Sequence, residues 1–165
     1  MKTLHTILTM AGIACLPITL NAQIGAKKQH DARVERMLDA LELKYEIISD
    51  GDFKLGNRLD SGRTQILFVN SNTEKYQNME IREIWSVAYI SDDLASSTIM
   101  RKLLKDNGTR KLGSWKLWTN NGKEVAVFYA QIAADADRYA FLSALQIVSQ
   151  TADEMEKDLT GKDDR

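Results

Sequence analysis

Cysteine and proline occur once each in the 165 residues, as Cys15 and Pro17, and histidine twice, as His5 and His30. Beyond residue 22 only His30 is left of these. A thiol nucleophile, a Cys-His pair, a disulfide framework and a His/Cys zinc site all need residue types that the bulk of the chain lacks. A Ser-His-Asp relay would have to recruit His30, which lies in a polar stretch ahead of the first patterned segment. No Gly-rich loop of the G-x-x-x-x-G-K type cradles a phosphate. An excess of one charge is missing as well. With Lys2 set aside, 21 basic residues face 23 acidic ones, which gives none of the positive surplus that nucleic-acid binding rests on. The expectation is a protein with no cofactor, no metal and no catalytic residues, and no nucleic acid among its partners.

What is present begins with an apolar run. Met1-Lys2 supplies one positive charge, Leu4 to Leu20 is mostly apolar, and Leu20-Asn21-Ala22-Gln23 follows. Charged start, apolar middle and small residue before a cut is the order of a secretory signal. The run is short for a spanning helix, and Pro17 breaks it. Cleavage after Ala22 is the first reading, giving a periplasmic or secreted protein. The Asn-Ala-Gln boundary resembles exported proteins of Bacteroides-type bacteria. A second reading stays open: Gly12-Ile13-Ala14-Cys15 loosely resembles a lipoprotein box, and a lipidated Cys15 would anchor the protein to a membrane. Without disulfides, the remaining residues, about 143, must hold together by their core alone, a length that suits one domain.

Residues 23–30 read as a flexible lead-in. Asp31 is placed to cap a helix whose Val34, Met37, Leu38 and Leu41 form one stripe. Tyr45 to Ser49 reads as a strand, Asp50-Gly51 as a hairpin turn, and Phe53 to Leu59 as the returning strand. Arg63 to Val69 is a third strand, Asn70 to Asn78 a polar loop, and Glu80 to Ile90 a fourth strand. Asp92 or Asp93 is expected to cap a helix over about 94–105, ended by Asn107-Gly108. Gly113 to Thr119 and Lys123 to Ile132 pair across Asn121-Gly122. Asp135 starts a last helix, to about Leu159, with Phe141, Leu145, Val148, Ala152, Met155 and Leu159 along one seam. Residues 160–165 form a charged tail, expected to be disordered. The order α-β-β-β-β-α-β-β-α, with tight hairpins, predicts an α+β fold: a two-layer domain over 31–159 with an antiparallel sheet and helices on one face.

A two-residue turn at Asn121-Gly122 sets Trp118 opposite Val125 and Leu117 opposite Ala126. One face then carries Trp115, Leu117, Ala126, Phe128 and Ala130, the other Lys116, Trp118, Val125, Val127 and Tyr129. In the fourth strand Trp85, Val87 and Tyr89 alternate with Ile84, Ala88 and Ile90. A sheet with one solvated face should alternate between apolar and polar, and this one is apolar on both. Either helices and loops cover more of the sheet, or Trp118, Val127, Tyr129 and Lys116 form a protein-contact surface.

Other chemistry is thin. Asp50-Gly51-Asp52 invites a calcium reading, but Lys54 stands where a third carboxylate should. Asp92/Asp93 and Asp135/Asp137 are the only carboxylate pairs suited to acid-base work, and both stand where helices begin. Arg101, Lys102, Lys105, Arg110, Lys111 and Lys116 gather near two tryptophans as a solvated helix end or an anion-contact patch.

The first helix ending in Leu41-Glu42-Leu43, then Lys44-Tyr45-Glu46-Ile47 and Asp50-Gly51-Asp52-Phe53, resembles the opening of YbjN-like domains. Leu103-Leu104-Lys105-Asp106-Asn107, Gly113-Ser114-Trp115-Lys116-Leu117 and Ala152-Asp153-Glu154-Met155 follow in that family's order, although Met155 replaces its usual aromatic. The resemblance covers 31–159. It implies the fold of type III secretion chaperones, α+β domains that pair as dimers and bind extended segments of other proteins. Family members have been labelled sensory transduction regulators, and no catalytic residues carry over. The leading expectation is an exported, non-enzymatic protein-binding module with a protein partner, a homodimer among the options. The alternatives are a small-ligand binder with a pocket between sheet and helices, or an envelope-associated lipoprotein, and last a carboxylate-dependent enzyme.

Overall fold

The computed structural model describes residues 29–164. The export signal, its Ala22 boundary, Cys15 and most of the lead-in lie outside the described residues.

The first helix, α1, runs Ala32–Ala40, and Asp31 is its N-cap, its side chain accepting from the Arg33 backbone N–H at 2.8 Å. Val34 and Leu38 lie four apart and are buried, so α1 presents one stripe to the sheet. Six strands follow the expected order: β1 Glu46–Ile47, β2 Phe53–Arg58, β3 Thr64–Tyr76, β4 Met79–Ser91, β5 Ser114–Asn120 and β6 Lys123–Ala133, with α2 (Ser97–Asn107) after β4 and α3 (Arg138–Thr160) after β6. All pairings are antiparallel, and the sheet order is β1-β2-β3-β4-β6-β5. The expected α+β architecture and element order are observed.

One core joins the three helices to one face of the sheet. Val34, Leu38, Leu103, Phe141, Leu145 and Val148 meet Phe53, Leu67, Ile84, Trp115 and Phe128 there. The α3 seam is apolar at Phe141, Ala144, Leu145, Val148, Ala152 and Met155, all buried. Each large member contributes about 1.5–3 kcal/mol by leaving water. β5 lies close over the β6 backbone because of Gly113. Its φ is +85°, and a Cβ there would sit 2.6 Å from the Tyr129 carbonyl oxygen and 2.8 Å from the Phe128 ring.

Several boundaries depart from the sequence reading. Residues 70–76, expected as loop, continue β3, and a tight turn at Gln77 (φ 53°) sends the chain straight back as β4. The polar composition misleads because residues 74–76 are exposed, while Asn70, Ser71 and Thr73 spend their polar groups on bonds to Trp85, Arg82, Asp31 and Glu80. β1 shrinks to two residues, and the chain turns at Gly51 (φ 90°), with the Ile48 N–H donating to the Asp52 carbonyl. Ser96, not Asp92 or Asp93, caps α2, and Asp137, not Asp135, caps α3, accepting from the N–H groups of Tyr139 and Ala140. α2 ends at Gly108 in right-handed conformation, so that glycine supplies a break and not a left-handed turn. The charged segment after α3, expected to be disordered, is engaged. Arg63 donates to the Lys162 carbonyl at 2.6 Å and to Asp153 at 2.5 Å, and the Thr64 N–H donates to Asp163. Arg63 supplies a cation between the acidic flank of α3 and the chain end, which a reading by composition does not see.

Two partly buried polar networks stitch the layers. At the α1 end, Asp31 accepts from Arg82 at 2.6 Å and from the Arg33 guanidinium at 2.7 Å, while Arg33 forks onto Glu80 at 2.7 and 2.8 Å. Arg82 is 1% exposed and also donates to the Asn70 carbonyl at 2.5 Å. Burial pushes the Asp31 carboxyl up, but the bonds from Arg33 and Arg82 outweigh it and hold it well below the usual carboxylate range. The Arg33 guanidinium likewise brings Glu80 down to about 2. At the α2 end, Asp106 accepts from both Arg110 and the Trp115 indole, the latter at 2.6 Å, and those bonds lower it against its burial.

Candidate binding face

The face of the sheet opposite the helices is built from alternate residues of β3 to β6. The β5–β6 register is the expected one: Asn121 (φ 49°) and Gly122 (φ 78°) make the turn, Trp118 pairs with Val125, Lys116 with Val127 and Leu117 with Ala126. Trp115, Leu117, Ala126, Phe128 and Ala130 point to the helices, and Lys116, Trp118, Val125, Val127 and Tyr129 point away from them. In β4, Trp85 lies between Phe68 of β3 and Tyr129 of β6. A bulge between Val87 and Tyr89 shifts the alternation. Tyr89 therefore joins the helix-side core and Ile90 turns to the open face, the reverse of the plain alternation expected for these two.

Among the described residues no helix covers this face. Its aromatic side chains cover each other instead. Phe68 and Trp85 stack with centroids 4.2 Å apart at 15°, and Trp118 meets the Trp85 ring edge-on at 5.1 Å and 78°. The Trp85 indole N–H donates to Asn70 Oδ1 at 2.8 Å, which fixes the ring. Lys116 Nζ lies 4.3 Å from the Tyr129 centroid and 5.2 Å from that of Trp118, and it pairs with Glu83. Beneath them Val127 is 0% exposed and Val125 is buried. Cross-strand aromatic pairs of this kind contribute about 0.5–1.5 kcal/mol each beyond their area, and a cation over two rings adds about as much. The four residues singled out in the sequence are thus together. Lys116, Trp118 and Tyr129 form the surface, and Val127 is its floor rather than a contact. Phe68 and Trp85 complete the surface and lie outside the hairpin from which the sequence expectation is built. The alternation of Thr64 to Val69 and of Glu83 to Val87 carries that information.

The sheet's β5 edge is partly closed. Asn107, the last residue of α2, accepts from the Trp115 N–H at 2.6 Å and donates to the Trp115 carbonyl at 3.4 Å, so its amide takes the place of a neighbouring strand. The basic cluster near the tryptophans is largely internally compensated: Lys102 with Asp158, Arg110 with Asp106 and Glu154, Lys116 with Glu83. His30 bonds Glu35 at 2.9 Å and meets Phe53 edge-on. Asp52 accepts from the Ser71 N–H and Asp50 from the Asp52 N–H, so the Asp-Gly-Asp turn spends its carboxylates on backbone. Asp153, Glu156 and Asp163 offer carboxylate oxygens within 4.8 Å of one another, but Arg63 bonds Asp153 and Glu156. The cation of that cluster is a side chain of the protein.

No family model matches the chain, and no curated protein does. Among solved structures it is similar to YbjN from E. coli, with 9% identity over 76% of this chain and 88% of that one and a TM-score of 0.49. It is also similar to a chain of the heterodimeric ExoU–SpcU complex from the type III secretion system of Pseudomonas aeruginosa, with 14% identity, 78% and 99% coverage and a TM-score of 0.43.

Proposed function

We propose that the chain is an exported, non-enzymatic module that binds another protein through the open face of its sheet. The observation that carries the reading is the half-buried aromatic cluster of Phe68, Trp85, Trp118 and Tyr129 on the face opposite the helices. Large, rigid, amphipathic side chains near the centre of a patch are the usual anchors of protein recognition. Here Trp85 is held by stacking on Phe68 and by its bond to Asn70, and Lys116 by its pair with Glu83, so docking costs little additional side-chain entropy. Lys116 sits within the surface as a paired cation and gives the patch a polar registration point. Export is supported by the order of residues 1–22, a charged start, an apolar run and a small residue at Ala22, with the working chain starting at Gln23.

The test is site-specific photo-crosslinking in the native envelope, with a benzophenone amino acid at Trp118 and, as control, at Ser143, an exposed residue of α3. A discrete adduct from position 118 and none from 143 is expected. Its mass separates a second copy of the chain from a different protein, and the mass of the free chain reports whether it starts at Gln23. Equal adducts from both positions, or none from 118, would overturn the assignment of the face.

A further inference from the structure

A cleft of about 370 Å³ lies on the other side of the sheet, between α1 and the start of α3. Its apolar walls are Val34, Met37 and Ala40 from α1, then Ala133, Ala136 and Phe141 from the β6–α3 junction. Four arginines line it, and they divide into two kinds. Arg33 and Arg82 are saturated, held by Asp31, Glu80 and the Asn70 carbonyl. Arg36 and Arg138, one from each wall, have no carboxylate partner among the described residues. Arg138 only lies over the Tyr139 ring, 5.5 Å from its centroid. Against them stands one lining carboxylate, Asp135. The N-terminal N–H groups of α3 are taken by Asp137, so the helix end is not the attraction.

We propose that this cleft binds a single-headed amphiphilic anion, a free aliphatic carboxylate, with its chain along the alanine-lined walls and its head on the Arg36 and Arg138 guanidinium groups. The volume falls in the range of small-molecule sites. A planar guanidinium matches a carboxylate with two parallel N–H donors. Asp135 at the rim disfavours ligands with several negative charges. The site is independent of the aromatic face, and either could be present without the other.

Isothermal titration of the purified protein with decanoate tests it, with decanol, inorganic phosphate and anionic phospholipid vesicles as the other probes. Saturable one-to-one binding of decanoate is expected, at least tenfold tighter than decanol, with no measurable binding of phosphate. The exposed double substitution Arg36→Gln/Arg138→Gln should weaken decanoate at least tenfold, and Ala136→Leu, which narrows the cleft, should do the same. Lys111→Gln, an exposed cation elsewhere, should change nothing. No saturable decanoate binding, decanol binding as tight as decanoate, or an unaffected arginine double variant would each overturn the proposal. So would vesicle binding that depends on the two arginines without binding of the free acid, because the head group would then belong to a bilayer.

Discussion

Replacing Arg82 with methionine removes a guanidinium that is almost wholly out of water, and the structure sets the size of the loss. Breaking one side of a buried ion pair costs about 3–5 kcal/mol, most of it from the partner left behind. Asp31 would not be wholly abandoned, since Arg33 still reaches it with its backbone N–H and its guanidinium. The Asn70 carbonyl, which accepts from Arg82 at 2.5 Å, would lose a donor, at about 1–3 kcal/mol. Methionine returns part of this by packing as an apolar chain of similar length. The net expectation is a loss of about 3 kcal/mol. With a urea dependence of about 2 kcal/mol per molar, the unfolding midpoint falls by about 1.5 M at unchanged slope. Asp31→Asn keeps a good cap but removes the charge, and combined with Arg82→Met it should cost less than the two changes summed, by about 1–3 kcal/mol. A midpoint shift under about 0.5 M for Arg82→Met, or strict additivity in the double variant, would refute the view that this pair locks α1 to the sheet.

The same network fixes an acid limb. The folded-state values of Asp31 and Glu80 are lowered, so their contribution is complete above about pH 4.5, where the unfolded carboxyls are also ionised. It is lost as pH falls toward about 2, because the unfolded chain takes up protons first. Urea midpoints at pH 6 and pH 3 should therefore differ, and the difference should shrink in Asp31→Asn/Glu80→Gln; an unchanged difference contradicts the assignment. At the β5–β6 junction, Gly113→Ala combines a left-handed φ with a Cβ 2.6 Å from a carbonyl oxygen and should destabilise by about 2–4 kcal/mol. A thermal midpoint within 2 °C of the parent, on the order of the measuring error, would show that the backbone yields there at little cost.

Periodicity made the architecture legible. The α3 seam and the β5–β6 register follow from spacing alone, because burial on one side imposes a period that composition cannot hide. What stayed hidden lacked that pressure. Residues 70–76 form strand with polar side chains because the hairpin tip is exposed and Asn70, Ser71 and Thr73 are hydrogen-bonded, and the bulge at Ala88 exchanges the faces of Tyr89 and Ile90 without leaving a mark in residue types. The helix starts were blurred by rival caps: Asp92, Asp93 and Ser96 are all competent, as are Asp135 and Asp137, and only the path of the chain chooses. Arg82 could have been placed inward from its alternation with Ile84 and Ser86. Its partner Asp31, 51 residues earlier, could not. The open face was half legible: Trp118, Val127, Tyr129 and Lys116 follow from one hairpin, while Phe68 and Trp85 join them only through the order of strands in the sheet.

The amide of Asn107 across Trp115 has a consequence for crowding. An edge strand is a template, and at high concentration identical edges recruit one another into chains of sheets. Here the β5 template has one position already filled by the side-chain amide of Asn107, the last residue of α2. A newcomer strand would meet open backbone at Leu117 and Thr119 only, too short a stretch to hold by main-chain bonds alone. On the β5 side the open face can thus stay apolar while its border offers a second copy only a short run of free backbone.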